Sequence, residues 1–232
     1  MTTSTQNNAF SKPKLKIEMV HDAVCSWCPI GYSNIKTAIS RLDIDVDFHF
    51  LPFELNPGLS ENGLLISHYF VHKMGWSESK LLSYQKSLVD TALKAGIFID
   101  FNKRRYYYNT HNAHLLMHWA EIHGQQSLVN ERLIQDYFTE GLDISDVAVL
   151  LGIVEQLGFD APDVKHLFES GFIKQAVEDK INRVAALNLL SIPAFIINEE
   201  TLITGSNSVD YFMEVLGDMI KQQKQETTTC PI

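Results

Sequence analysis

The order in which strand and helix periodicities appear limits this chain more than any single motif. "LKIEMV" (15–20) alternates and then runs apolar, as a short buried strand does. "GYSNIKTAISRL" (31–42) spaces Ile35, Ala38, Ile39 and Leu42 at helical intervals, which predicts a helix to about Arg41. "DIDVDFHFLPFEL" (43–55) alternates Ile44, Val46, Phe48 and Phe50 with polar partners, a strand signature. Strand, helix, strand in that order makes a βαβ unit with its first two strands parallel. The next strand signal waits until "SIPAFIIN" (191–198), with "TLITG" (201–205) as its hairpin partner and "SVDYFMEVLGDMIKQQ" (208–223) as a closing amphipathic helix.

Between the two halves the period is helical. Residues 77–96, 111–124, 125–141, 144–158 and 171–189 all read as helices, and several end at Gly, the usual helix stop. The simplest assembly is an α/β fold, βαβ then ββα, with its sheet interrupted by a large all-helical insertion. The expected boundaries are residues 13–58 and 190–223 for the sheet domain and 59–189 for the insertion. Residues 1–12 and 224–232 are expected as polar tails.

Two of the three cysteines, Cys25 and Cys28, fall where the first strand gives way to the first helix. Pro29 supports the helix start, because proline is tolerated only in a first turn. Cys25 is therefore expected at a helix N-terminus, where free N–H groups and the positive end of the dipole favour an anion such as a thiolate. Cys28, about one turn on, is placed to face Cys25 and resolve a mixed disulfide. Pro193 stands just ahead of a strand, where a missing N–H is least welcome and an unusual backbone is expected.

Charge and length exclude other classes. With 19 basic against 28 acidic residues, a net charge of −9 argues against binding nucleic acid or an anionic membrane. No uncharged run reaches membrane-spanning length, and "MTTSTQNNAFSKPKLK" lacks a signal-peptide core. The expected compartment is the cytoplasm, where structural disulfides are scarce. A Cys25–Cys28 crosslink also closes too short a loop to constrain much chain.

Taken together, "DAVCSWCPIGY" (22–32), "PFELNP" (52–57), "NTHNAHLLMHWA" (109–120), "YFTEGLDISD" (137–146), and "SIPAFIIN" followed by "ITGSN" (203–207) resemble the thioredoxin-like DsbA family, and within it the FrnE-like branch. The resemblance spans about residues 15 to 215. It implies dithiol–disulfide exchange on a thiol- or disulfide-containing protein or small molecule, with an unidentified recycling partner. Cys25 would be the nucleophile and Cys28 the resolving thiol. It also implies a cis peptide between Ile192 and Pro193, packed beside the cysteines and offering backbone groups to an extended substrate. The exchange needs no organic cofactor or metal, and glutathione fits as a co-substrate. Ser26 departs from the branch, which commonly has proline there, and the intervening pair tunes the redox potential.

Other residues have competing readings. Trp27 suits cover over the active thiol or local packing equally well. Asp22 reads as a turn or cap residue near the cysteines, and Glu54 as an ion-pair partner. A zinc site at the cysteines would need His21 and Cys230 as further ligands, and Cys230 lies in a polar tail. His111, His114 and His118 have helical spacing that would suit a metal, and packing explains them more cheaply. "KRRYYYN" (103–109) mixes basic and aromatic residues as nucleic-acid sites do, and reads here as a groove wall or surface turn. Two rival functions stand beside exchange. One is a glutathione-dependent enzyme of the kappa-class transferase or 2-hydroxychromene-2-carboxylate isomerase kind, which usually has serine at the first cysteine position. The other is a redox-independent peptide-binding chaperone.

Overall fold

The computed structural model describes residues 14–60 and 62–229; the 1–12 tail and Cys230 lie outside them. Four strands form the main sheet in the order β2 (Asp45–Pro52), β1 (Lys14–His21), β5 (Ala194–Ile197), β6 (Thr201–Thr204). β1 runs parallel to β2, joined by α1 (Cys28–Leu42), and antiparallel to β5, which pairs antiparallel with β6. The βαβ–ββα order expected from the sequence is the one observed.

Alternation along β1 sorts its side chains to two faces. Leu15, Ile17 and Met19 are fully buried in one core with Ile30 and Ile35 of α1 and with Phe212 and Leu216 of α9 (Val209–Thr229). Burying each such side chain contributes about 1.5–3 kcal/mol. On the opposite face Val20 joins Leu51, Ala194 and Val184. There the Glu18 carboxylate takes both Arg183 guanidinium nitrogens at 2.8 and 2.6 Å, and those bonds hold Glu18 below the usual carboxylate range.

The insertion opens with β3 (Leu64–Leu65) and α2 (Ile66–His68), which passes into a π-helical turn, Tyr69–Lys73, closed by Met74 N–H donating to Tyr69 O at 3.1 Å. α3 (Glu78–Lys94) follows, capped by the Ser77 hydroxyl on Lys80 N–H. Next come β4 (Tyr106–Tyr107), α4 (His111–Ile122) and α5 (Gln126–Ile134). α5 passes into a second π turn, Gln135–Thr139, with Glu140 N–H on Gln135 O at 3.1 Å. α6 (Val147–Gln156), α7 (Ala161–Glu169) and α8 (Gly171–Ala185) complete it. The core of this unit is built from Leu115, Trp119, Leu133, Tyr137, Phe138 and Ile153.

Three expectations need correction. The insertion is not all helical, because β3 pairs antiparallel with β4 through Leu64–Tyr107 and Leu65–Tyr106; strands of two residues are too short to show a period. α2 with its π turn, and α7, are absent from the helices read in the sequence; α7 opens with Pro162 in its first turn. α9 runs to Thr229, past the expected boundary at 223, because "KQQKQE" (221–226) is made of good helix formers and the next proline is Pro231.

Gly31 fixes how α1 meets the second half of the sheet domain. A Cβ there would lie 2.9 Å from Pro193 Cγ and 3.3 Å from both Phe195 Cζ and Ser206 Cα. Gly31→Ala is expected to cost about 1–3 kcal/mol by overpacking, read as a lower urea midpoint at unchanged m-value; a midpoint equal to the native chain's would contradict this packing.

Candidate active site

The loop between β1 and α1 is shaped by one carboxylate. Asp22 Oδ1 accepts Val24 N–H at 3.2 Å, Oδ2 accepts Leu55 N–H at 2.6 Å, and the Asp22 carbonyl accepts Cys25 N–H at 3.0 Å. The turn role expected for Asp22 is present, and the side chain also ties the β1–α1 loop to the chain leaving β2. Asp22 is only 1% exposed, and burial raises its proton affinity from the ordinary 3.8 to about 7.

Cys25 does not sit in the helix. α1 begins at Cys28, Trp27 stands at its N-cap, and Cys28 N–H is taken by the Cys25 carbonyl at 3.2 Å. Pro29 lies in the first turn, as expected, and the helix starts at Cys28. Cys25 therefore lies just in front of the helix N-terminus, and Cys28 lies in its first turn.

Both thiols are free and nearly buried. Burial pushes the Cys28 thiol well up, and its hydrogen bond to the Cys25 sulfur pushes it further. Cys25 Sγ faces the Ile192 carbonyl at 4.0 Å, the limit of a sulfur hydrogen bond. The Ile192–Pro193 peptide is cis. Gly205 N–H holds the Pro193 carbonyl at 2.7 Å. Trp27 is partly buried in the same loop, and its indole N–H donates to the Tyr84 hydroxyl on α3 at 3.2 Å. Cys25, Cys28, Trp27, Ile192 and Pro193 thus meet at one end of the sheet.

Behind the thiols lies a buried polar group. His21 and His114 pack edge to face at 5.7 Å, and His114 Nε2 is 3.0 Å from the Phe53 carbonyl. Burial lowers both imidazoles, His114 to about 4, so both are neutral at pH 7. His21, Asp22 and Cys28 line one cavity of about 10 Å³, at the lower limit for a single water. The remaining candidates disperse. His111 pairs with Glu54 at 3.0 Å and His118 with Glu121 at 3.2 Å. Within "KRRYYYN", Arg104 is 1% exposed and Tyr107 is buried, so these two side chains turn inward, while Lys103 and Arg105 are exposed. Tyr84 and Arg104 had no reading of their own in the sequence; both owe their place to contacts across the chain.

Residues 16–217 match the DSBA-like thioredoxin domain family, and the chain belongs to it. It is 26% identical over 208 residues to the uncharacterized protein YwbO of Bacillus subtilis (strain 168), covering 89% of this chain and 98% of that one. The fold superposes on the Streptomyces coelicolor protein SCO1869, described as a probable DsbA oxidoreductase, with a TM-score of 0.82 at 20% identity, covering 94% of this chain and 92% of that one. It also superposes on a 2-hydroxychromene-2-carboxylate isomerase, with a TM-score of 0.65 at 13% identity, over 93% of this chain and all of that one.

Because the folded chain holds a proton on Asp22 that the unfolded chain has released, Asp22 adds stability below about pH 4 and this is lost as pH rises toward 7. The difference in unfolding free energy between the native chain and Asp22→Asn should change across that window and be constant above it. A difference flat from pH 4 to 7 would contradict the burial of this carboxyl.

Proposed function

We propose that this member of the DSBA-like family is a dithiol–disulfide oxidoreductase of the FrnE-like branch, with Cys25 as nucleophile and Cys28 as resolving thiol. The observation that carries the reading is the pair itself. Both thiols are free and buried, burial beside Cys25 holds the Cys28 proton tightly, and Cys25 faces the Ile192 carbonyl at 4.0 Å. The fold does not decide the matter, since a 2-hydroxychromene-2-carboxylate isomerase shares it. Two adjacent thiols in the position where the isomerase class usually has serine support exchange.

In the reducing direction the Cys25 thiolate attacks one sulfur of a substrate disulfide. A Cys25–substrate disulfide forms and the other substrate sulfur leaves as a thiolate. Cys28 then gives up its proton and attacks the Cys25 sulfur. The Cys25–Cys28 disulfide forms, the second substrate thiolate departs, and two electrons have passed to the substrate. Asp22, which shares the small cavity with Cys28, takes that proton; its proton affinity of about 7 suits the task near neutral pH. Oxidation of a substrate dithiol is the same sequence reversed. The Ile192 carbonyl and Pro193 border the position of the incoming sulfur, and Trp27 stands at the N-cap of α1 between the two thiols. Glutathione serves as co-substrate in this reading.

Cys25→Ser should abolish glutathione-coupled insulin reduction, whereas Cys28→Ser should accumulate a mixed disulfide on Cys25, seen by mass spectrometry without reductant. Insulin reduction surviving in Cys25→Ser would sink the proposal.

A further inference from the structure

Arg104 is among the most deeply buried large side chains in the described chain, at 1% exposure. Among the described residues it makes no ion pair with a carboxylate. Its guanidinium lies 4.7–5.4 Å from the ring centres of Phe101, Tyr107, Tyr137 and Phe138. One Nη donates to the Val24 carbonyl at 2.9 Å, and Nε has no partner. That carbonyl belongs to the peptide bond whose nitrogen is Cys25's. A fixed cation is therefore fastened to the backbone of the loop that presents the reacting sulfur.

We infer that Arg104 is a positioning residue for the exchange reaction, holding the Cys25 loop and supplying the buried positive charge that the Cys25 thiolate balances in the reduced protein. The inference rests on the dithiol reading above.

Two acidic groups border the loop, the Asp22 carboxyl and the Cys25 thiol. Asp22 is engaged with the amides of Val24 and Leu55. Cys28 is held as a thiol. The hydroxyls of Tyr84, Tyr107 and Tyr137 are pushed up by burial, Tyr107 to about 12, so none is ionised near pH 7. Tyr69 lies edge to face on Tyr107 at 5.4 Å. Tyr107 lies against the guanidinium, with its ring centre 5.4 Å away, and Tyr84 reaches the cysteine loop through the Trp27 indole at 3.2 Å. Arginine suits this place because it keeps its charge when buried, where lysine readily loses it. A cation near the sulfur stabilises the reduced, anionic form over the disulfide. It makes the couple a stronger oxidant and the sulfur more reactive at neutral pH.

The test compares the native chain with Arg104→Met and with Arg104→Gln, which keeps a donor for Val24 but no charge. Two quantities are read on folded protein: the glutathione equilibrium of the Cys25–Cys28 couple and the iodoacetamide rate at Cys25 from pH 6 to 9. Both variants should shift the equilibrium about tenfold toward the disulfide, roughly 30 mV, and move the alkylation profile to higher pH. A folded neutral variant with native equilibrium and native profile overturns the inference. Should neither fold, Arg104→Lys at pH 6, where an ammonium keeps more charge, must stay within about threefold of the native equilibrium; a shift of about tenfold there also overturns it. A native chain that never forms the Cys25–Cys28 disulfide would instead overturn the dithiol reading itself.

Discussion

Strand direction is the constraint on which the site depends. β1 and β2 are parallel, so the connection between them must leave from the carboxyl end of β1 and cross over the sheet. The loop from Asp22 to Trp27 begins that crossover. β5 runs the other way, with Ala194 beside Val20. Its first residue therefore lies next to the last residues of β1, and whatever precedes β5 meets whatever follows β1. Cys25 and Ile192, 167 residues apart, touch for this reason. The long insertion between them changes nothing in that geometry, because it leaves and re-enters the small sheet at the same end, the carboxyl end of β1.

The insertion contributes more than bulk. Tyr84 from α3 fastens the Trp27 indole, Leu55 beyond β2 donates to Asp22, and Arg104 ahead of β4 grips Val24. Two parts of the insertion, with the stretch just past β2, thus hold the cysteine loop. Buried charges are costly unless well partnered, by several kcal/mol per ion. Asp22 meets that cost with backbone amides and a raised proton affinity, and Arg104 with aromatic faces worth about 0.5–2 kcal/mol each.

Much of this was readable from the sequence because it is periodic or local. The alternation of Ile44, Val46, Phe48 and Phe50 marks β2, and the spacing of Ile35 and Ala38 marks α1. Pro29 between a strand and a helix placed the thiols at a helix start, though not which of the two lies in the helix. Burial against distant segments was not readable. Arg104 stands in a stretch that looks like a basic, aromatic surface patch, and only the packing of Tyr107, Tyr137 and Phe138 around it turns it inward. Asp22 likewise looks like any turn aspartate until Leu55 closes over it. The β3–β4 pair failed for a simpler reason, since two residues carry no period.

The second π turn gives the Arg104 environment its shape. Tyr137 and Phe138 are consecutive, yet both are fully buried and both place their rings within 5 Å of the same guanidinium carbon. An ordinary α-helix turns about 100° per residue, which tends to send neighbouring side chains to different surroundings. The widened hydrogen-bond ring from Gln135 to Glu140 lets two adjacent aromatics serve one cation. A local fault in helical winding is thus an architectural part of the chamber behind the reactive sulfur.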